Sequence, residues 1–335
     1  MLLSTDTNFL TAIMDENTSI SEHNSSCTYN DTVDAYMYPA AYSLFFIFGL
    51  AGNCLSLYVA WIIMRRGNSL AVYLVSLSIC DLLYTLTLPV WIMLAMQQTV
   101  NDTLCSLIAV IMYNSFYVGS GLLCCISVDR YLAVVFPLYF ARLHEVRTAA
   151  LVSIFVWLIE ISLHIGLLAH KDELRQFSIS RLCEEKIPMD SNRAHVAIIR
   201  VVLSFLIPLF VMAFCFHQIM VSLRKSASTE ASERNKIRKL LCILLLVYVV
   251  SFTPFQVVMF VRGVWETDKC DIAKQLRNVY MVFVATTTIN SVLDPVVYCL
   301  MTESAKTEIR SLYMKCQHQL SKTFSVLRLS SSSTA

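Results

Sequence analysis

Three carboxyl groups lie inside long apolar stretches of this sequence, where their presence needs a chemical explanation. Asp294 lies in the apolar run 289–300 (INSVLDPVVYCL), directly before a proline, and Asp81 and Glu160 lie in two other apolar runs. A charge buried away from water destabilises a protein unless it is paired or neutralised. Burial favours the neutral form of a carboxyl group, and a second carboxylate nearby favours it further. These three side chains are therefore candidates for proton binding near neutral pH.

The composition places these carboxyl groups in a membrane protein. Of the 335 residues, 56% are hydrophobic and 15% are charged, whereas an average soluble domain has about 45–50% and about 25%. A helix that crosses a bilayer needs about 20 apolar residues. Stretches that meet this requirement cover residues 39–64, 70–96, 105–135, 148–169, 196–223, 238–263 and 276–300. We therefore predict an all-α membrane protein, a bundle of seven transmembrane helices.

The distribution of Lys and Arg predicts the orientation of the bundle. Residues 1–38 and the 97–104 loop contain neither, whereas the loops on the opposite side are rich in both. Since cytoplasmic loops carry the excess of positive charge, we expect an extracellular N-terminus, a cytoplasmic C-terminus and a plasma-membrane location. Four N-glycosylation sequons fall on the predicted extracellular side. They are centred on Asn17, Asn24, Asn30 and Asn101.

Four of the 12 cysteines lie in or beside the predicted extracellular segments, where oxidising conditions permit disulfides. Four cysteines allow three pairings, and the sequence alone does not choose among them. Because Cys105 opens the third span and Cys183 lies in the longest outer loop, we expect these two to pair, which leaves Cys27 with Cys270. Free thiols at the loop edges remain the alternative for each pair.

Five features, in a fixed order along the spans, resemble a known family. They are SVDRYLAVVFPL (127–138), Trp157, Pro208, SFTPF (251–255) and NSVLDPVVY (290–298). Together they resemble the rhodopsin-like (class A) G-protein-coupled receptors over essentially the whole chain. The resemblance implies a seven-helix receptor that signals to a heterotrimeric G protein.

The resemblance also implies an activation switch near the cytoplasmic side. Asp129 would hold Arg130 at rest and release it toward the G protein, the prolines would let helices pivot, and Tyr298 would swing inward. The switch residues are Asp129, Arg130, Tyr131, Phe252, Pro254, Pro295 and Tyr298.

Three residues depart from the usual pattern of the family. Phe252 stands where a tryptophan is usual, Phe216 where a tyrosine is usual, and Asp294 where an asparagine is usual. Phe216 puts in doubt a water-bridged contact to Tyr298, since a phenyl ring offers no hydroxyl.

Within the family, the sequence is most similar to the proton-sensing group, which also includes receptors linked to lysolipids and oxidised fatty acids. The similarity lies in LYTLTLPVW (83–91), LLCCISVDRYLAVVFPL (122–138), WLIE (157–160), VLDPVVYCL (292–300) and the Cys27 and Cys270 pair. It implies that Asp81, Glu160 and Asp294 form a buried acidic triad that senses extracellular protons, with His170 as a further sensor. Few histidines are clearly extracellular, namely His23, His170 and His195, so we expect a weaker or shifted response unless the acids dominate.

A sodium ion or water is the alternative occupant of the polar network. As in many members of the family, the polar residues would bind Na⁺ or water rather than sense protons. These residues are Asp81, Asn290, Ser291 and Asp294. The two roles are compatible because Na⁺ and H⁺ would compete for Asp81 and Asp294. No other cofactor and no structural metal ion is expected.

An acidic lipid is the second candidate agonist. Arg200 and Arg262 should point toward the outer mouth of the bundle, where a guanidinium group can bind carboxylate or phosphate through two hydrogen bonds. An aromatic lining would lie below them, formed by Tyr113, Tyr117 and Phe255. The alternative is that Arg262 extends to the membrane interface and Arg200 pairs with an outer acid such as Glu266. A receptor for a nucleotide or a peptide is a further alternative.

The cytoplasmic segments suggest further partners. The basic loop 224–241 would contact acidic lipid headgroups and, with Arg130, frame the G-protein site. Beyond the receptor domain (39–300), residues 301–316 resemble a short amphipathic helix that ends at Cys316, a palmitoylation candidate. The Ser-rich tail 317–335 is expected to be disordered and, when phosphorylated by receptor kinases, to recruit arrestin.

Other classes of protein fit less well. A retinal-binding opsin or pump needs a lysine in the seventh span, and 276–300 contains none. The chain shows no internal repeat typical of transporters and no Walker, HExxH or GxSxG motif. We therefore expect neither an enzyme, nor a transporter, nor a nucleic-acid-binding protein.

Overall fold

The computed structural model describes residue 27, residues 32–143, 145–170, 183, 187–225, 231–267, 269–301 and 303–332. These residues form ten α-helices and one π-helical segment. In chain order the α-helices are α1 (Thr32–Arg65), α2 (Leu70–Ala95), α3 (Asp102–Val135), α4 (Pro137–Leu143), α5 (Val146–His170), α6 (Ser191–Arg200), α7 (Ile207–Lys225), α8 (Ala231–Trp265), α9 (Cys270–Met301) and α10 (Glu303–Ser332). The π-helical segment, Val201–Leu206, joins α6 to α7 without a break.

Seven helices in the described part of the chain are long and apolar enough to cross a membrane. This number and the all-α bundle confirm the prediction. All of these helices except α2 extend beyond the predicted spans, because polar residues continue or cap them. The first helix begins at Thr32, within the predicted tail 1–38. The fifth span begins at Ser191, where the Asp190 carboxylate accepts a hydrogen bond from the N–H of Arg193 at 2.7 Å.

Helix α2 lies at the centre of the bundle, and hydrogen bonds join it to its neighbours. Ser78 donates to the hydroxyl of Ser56 on α1 at 2.9 Å, and the indole N–H of Trp157 on α5 donates to the hydroxyl of Ser76 at 2.9 Å. Asn53 on α1 donates to the carbonyl oxygen of Ser291 on α9 at 2.7 Å. Since α5 exposes large apolar side chains along its outer face, it lies at the rim of the bundle, against lipid.

Two disulfides close the outer side of the bundle. Cys27 is bonded to Cys270 at the start of α9, with their Cα atoms 5.7 Å apart. Cys105 in the first turns of α3 is bonded to Cys183, with a Cα separation of 5.2 Å. Both pairings match the sequence-based expectation.

The fifth span contains an irregular segment whose cause is visible in the sequence. Pro208 has no backbone N–H, so the carbonyl group of Ser204, four residues earlier, lacks its usual helical donor. Just before the proline the helix widens over Val201–Leu206, where the N–H of Ile207 bonds to the carbonyl of Val202. This widening leaves backbone oxygens available to side chains of other helices.

The C-terminal helix is longer than predicted. We expected the amphipathic helix to end at residue 316 and the tail to be disordered, but α10 continues to Ser332. The reason lies in the spacing of apolar residues, which recur every three or four positions beyond the expected end at Leu320, Phe324 and Leu327. An ion pair of 2.5 Å between Arg66 and Glu308 joins this helix to the turn between α1 and α2.

We predict that Trp157→Phe destabilises the bundle by about 1 kcal/mol, because it leaves the buried Ser76 hydroxyl without its donor. Thermal unfolding of the purified protein, followed by circular dichroism, measures the effect. Trp61→Phe is the matched control, since Trp61 is exposed on the lipid side. Equal melting temperatures for the two variants would contradict the proposed contribution of this hydrogen bond.

Candidate functional site

Asp81 on α2 and Asp294 on α9 form a buried carboxyl pair in the middle of the bundle. The two groups interact electrostatically. The side-chain amide of Asn290 donates to Asp294 Oδ2 at 2.8 Å, whereas Asp81 Oδ2 has no hydrogen-bond partner among the described residues. Within the same part of the chain, neither carboxyl group forms an ion pair with Lys or Arg. Two carboxylates without a counter-charge repel each other, so protonating one relieves the repulsion.

Oxygen atoms surround this pair. Buried side-chain oxygens without a hydrogen-bond partner in the described structure belong to Asn53, Ser115, Asn290 and Ser291, in addition to Asp81. Buried polar atoms are normally satisfied, and an orphaned group points to a water or an ion. The donor set therefore suits a water or a small hard cation, and the predicted Na⁺ site at Asp81, Asn290, Ser291 and Asp294 stays a prediction.

A small cavity of about 30 Å³ lies between Asp294 of the carboxyl pair and the predicted switch. Its lining includes Asp294, Tyr298 and Arg130, together with leucines of α2, α3 and α8. The Arg130 guanidinium binds the carboxylate of the adjacent Asp129, with Nη2 at 2.5 Å and Nε at 3.1 Å from Oδ2. The structure thus brings the carboxyl pair and the switch arginine to two sides of one small space.

The other predicted switch residues lie on α3, α8 and α9. Phe252 is buried, with its ring centroid 4.8 Å from those of Phe116 and Tyr248. Tyr131 packs against Phe136 and Phe214 near the C-terminal end of α3. Pro254 lies inside α8 and Pro295 inside α9.

The outer half of the bundle holds a cavity of about 280 Å³. Four of the five residues predicted to bind a ligand line it, namely Arg200, Arg262, Tyr113 and Tyr117. Phe255 is not among the residues that line the cavity. Its ring lies outside the lining and packs between Phe116 and Tyr280 at centroid distances of 5.7 and 5.9 Å, and Tyr280 takes its place in the cavity wall.

Three arginines line this cavity, and Arg262 and Arg200, the two that were predicted to bind a ligand, differ in their partners. Arg262 forms a fully buried ion pair with Glu266, which lies in the turn directly after α8, and its Cζ lies 4.1 Å from the centre of the Tyr280 ring. Neither alternative from the sequence holds, because Arg262 does not extend to the interface and Glu266 pairs with Arg262 rather than with Arg200. Glu266 also accepts the backbone N–H of Met189 at 3.0 Å.

Arg200 lies at the end of α6, is 8% exposed, and its guanidinium stacks on Tyr117 with Cζ 4.2 Å from the ring centre. Its Nη1 has no hydrogen-bond partner in the described structure. Glu160 and His164, one turn apart on α5, both interact electrostatically with Arg200. Glu160 therefore interacts with the arginine of the outer cavity, whereas Asp81 interacts with Asp294.

Several predicted sites lie wholly or partly outside the described residues. Asn17, Asn24 and Asn30 are among them, as are the side chains of His170 and Cys316. Asn101 is exposed, and its side-chain oxygen caps α3 by accepting the N–H of Thr103 at 2.9 Å.

Sequence reasoning missed a polar junction between α3, the π-helical segment and α8. Ser120 donates to the carbonyl oxygen of Ser204 at 3.0 Å, and the Tyr248 hydroxyl lies 2.8 Å from Ser120 Oγ and 3.3 Å from the carbonyl oxygen of Phe205. Ser120 uses its single proton on Ser204, so the single proton of the Tyr248 hydroxyl is shared between Ser120 Oγ and the more distant carbonyl oxygen of Phe205. The available signal was a tyrosine in the middle of an apolar span, where its hydroxyl needs a buried partner.

Comparison with known proteins agrees with the fold. A family model described as "7 transmembrane receptor (rhodopsin family)" matches residues 52–298. The chain is 32% identical to human G-protein coupled receptor 68 over 87% of this chain and 80% of the relative. It is 32% identical to human G-protein coupled receptor 65, over 88% of this chain and 91% of the relative. Human lysophosphatidic acid receptor 6 is 25% identical over 87% of this chain and 88% of the relative.

We predict that Tyr248→Phe and Ser120→Ala each lower the free energy of unfolding by about 1 kcal/mol, since each removes the buried bond between the two hydroxyls. Because both changes remove the same bond, the double variant should lose less than the sum of the two. Thermal unfolding of the four proteins measures this coupling. Tyr58→Phe, at an exposed position of α1, should change nothing, and strictly additive losses would argue against a shared bond.

Proposed function

This chain belongs to the rhodopsin family of seven-transmembrane receptors, and we propose that extracellular protons activate it through Asp81, Asp294 and Glu160. As a member of this family it is a multi-pass membrane receptor that couples to G proteins, and it is not an enzyme. The proton is the part of the proposal that goes beyond family membership.

The observation that carries the proposal is the buried pair of Asp81 and Asp294 without a counter-charge in the described structure. A structural ion pair would supply an arginine or lysine, and a purely packing role would use an uncharged residue. Two like carboxyl groups in low dielectric instead titrate as a coupled pair, which takes up its protons in two steps. The repulsion between the two carboxylates favours the uptake of the first proton.

A change in the charge of Asp294 can affect Arg130 across the small cavity that both side chains line. A neutral Asp294 no longer attracts the guanidinium or holds the amide of Asn290 through a charge. We expect the active packing of α3, α8 and α9 to accept this neutral form better than the resting packing does. A tenfold difference in proton affinity between the two packings shifts their equilibrium by about 1.4 kcal/mol.

Sodium fits the same network as an antagonist of the proton. The orphaned oxygens of Asn53, Asn290 and Ser291 would complete the coordination that Asp81 and Asp294 begin. A cation there stabilises the charged carboxylates and so opposes protonation. High extracellular sodium should therefore move the proton response to lower pH.

The orientation of the bundle in the membrane and its proposed partners are inferred from the sequence. The absence of Lys and Arg from residues 1–38 supports an extracellular N-terminus, and both disulfides lie on the same side as that terminus. The opposite side, with Arg130 and the basic loop 224–241, would meet the G protein. Phosphorylation of the Ser-rich C-terminal segment by receptor kinases would recruit arrestin.

An acidic lipid is the second candidate agonist, and one observation favours it. The outer cavity combines an aromatic and methionine-rich lining with the unpartnered Nη1 of Arg200, a combination typical of sites for amphiphilic anions. One relative carries the name of a lysophosphatidic acid receptor.

We predict that signalling rises as the extracellular medium is acidified from about pH 8 to about pH 6, the range where histidines and buried carboxyls titrate. In the variants Asp81→Asn and Asp294→Asn, a neutral isostere replaces a carboxyl group and imitates its protonated form. Each should raise signalling at the alkaline end and flatten the dependence on pH. Cyclic AMP and inositol phosphate in transfected cells, normalised to surface expression, measure the response.

Asp271→Asn is the matched control, because Asp271 is exposed at the start of α9, and it should keep the wild-type pH profile. If wild-type signalling does not depend on pH at normal surface expression, the proposal that protons are the agonist is contradicted. Unchanged pH dependence in both Asp81→Asn and Asp294→Asn would also contradict it.

A further inference from the structure

We infer that Arg200 binds the anionic head of an amphiphile in the outer cavity, and that a proton on Glu160 strengthens this binding. The proton and the anionic ligand would then be cooperative agonists of one site. This inference deepens the proposed function, on which it rests for the titration of Glu160.

Arg200 is positioned to bind an anion. It is more than nine-tenths buried, lines the cavity, and has an Nη1 with no partner among the described residues. Stacking on Tyr117 holds the plane of the guanidinium, so that little freedom is lost when a ligand binds. A buried donor without a partner is costly, and an incoming carboxylate, phosphate or sulfonate would supply the missing acceptor.

Arg262 is excluded from the same role. Its guanidinium already binds the Glu266 carboxylate through two nitrogens, so its charge is balanced before any ligand arrives. Arg193, the third arginine of the lining, forms an ion pair with Asp190 at 3.5 Å, so among the described arginines of the cavity wall Arg200 alone has no direct ion pair. A ligand with a single anionic head suits this arrangement better than a doubly charged one.

Glu160 provides the link to the proton. It is the acid that interacts electrostatically with Arg200, yet the two side chains form no direct ion pair in the described structure, and Glu160 Oε2 has no hydrogen-bond partner. While Glu160 is charged, it offsets the positive potential that an anion would experience at Arg200. Once Glu160 is protonated, the full charge of Arg200 is available to the ligand.

The other groups around Glu160 do not replace this link. Tyr117 on α3 and Arg200 on α6 face it from the neighbouring helices, and Ser204 lies in the π-helical segment. His164, on the same face of α5 and 8% exposed, also interacts with Arg200. A proton on His164 would be placed beside an existing positive charge, whereas a proton on Glu160 removes a negative one.

Linkage makes the effect reciprocal. If a proton on Glu160 tightens anion binding by some factor, the bound anion tightens proton binding by the same factor. The expected factor is about tenfold, within the range that is usual for coupled sites. The apolar remainder of the ligand would lie against Trp91, Met112, Met259 and Met281, which line the rest of the cavity.

Calorimetric titration of the purified full chain with octane-1-sulfonate tests the inference, because a sulfonate keeps its charge at every relevant pH. We expect binding about tenfold tighter near pH 6 than near pH 8, and weak, pH-independent binding of the uncharged octan-1-ol. Glu160→Gln should bind the sulfonate at both pH values as tightly as wild type does near pH 6. Arg200→Gln should bind it no better than the alcohol.

Two controls separate the roles of neighbouring groups. Arg224→Gln, at the exposed inner end of α7, should leave sulfonate binding unchanged, and His164→Gln should keep the pH dependence. Loss of the pH dependence in His164→Gln, or its persistence in Glu160→Gln, would overturn the assignment to Glu160. Unchanged binding in Arg200→Gln would overturn the anion site.

A measurement on wild type alone guards against variants that do not fold. Titrations in two buffers with different ionisation enthalpies report the protons taken up on binding, and uptake near pH 7 is expected from the linkage. No uptake would refute it. Binding is measured here without signalling, so the two proposals can fail separately. A flat pH response in cells would contradict the proton as agonist but leave a pH-linked sulfonate site intact. A normal pH response in cells with no pH-linked sulfonate binding would contradict only the anion site.

Discussion

Inside this bundle an ionisable side chain has little water to hydrate its charge, and every such group must be balanced, neutralised or given a ligand. The described structure resolves this requirement differently at each position. Arg262 is balanced by Glu266, and Arg130 by Asp129. Asp81 and Asp294 have only each other. Proton binding is the physical response available to two like charges in such a place, and the proposed activation mechanism depends on it.

The outer cavity contains the same residue types in a less complete arrangement. Arg200 and Glu160 have opposite charges and interact across the bundle, but they do not form a direct ion pair in the part of the chain that the structure describes. Arg262 at the end of α8 and Glu266 just after it form a direct ion pair, whereas Arg200 and Glu160, on two different helices, can each still bind a third group. At such a pair a proton on the acid and an anion on the arginine can bind cooperatively.

The fifth span connects the outer cavity with the inner half. Arg200 lies immediately before the π-helical segment, and the Ser204 and Phe205 carbonyls within it accept bonds from Ser120 and Tyr248. Tyr248 in turn packs against Phe252, which stands where the family usually has tryptophan. A ligand that moves Arg200 would act on a segment that is already irregular because Pro208 cannot complete a regular ladder of hydrogen bonds.

The sequence by itself determined the bundle, because seven apolar stretches in lipid must each form a helix to satisfy their backbone. It also identified Asp81, Glu160 and Asp294, since a charge in such a stretch is conspicuous whatever its neighbours. Which side chains contact each other was decided only by the tertiary structure. The four-residue spacing of Arg262 and Glu266 is compatible with their contact, but nothing in the sequence told that Tyr280 rather than Phe255 would line the cavity, or that Tyr248 would reach Ser120. The physical reason is that helical periodicity defines which face a residue occupies, while the rotation and height of each helix, set by packing against all the others, decide which side chains meet.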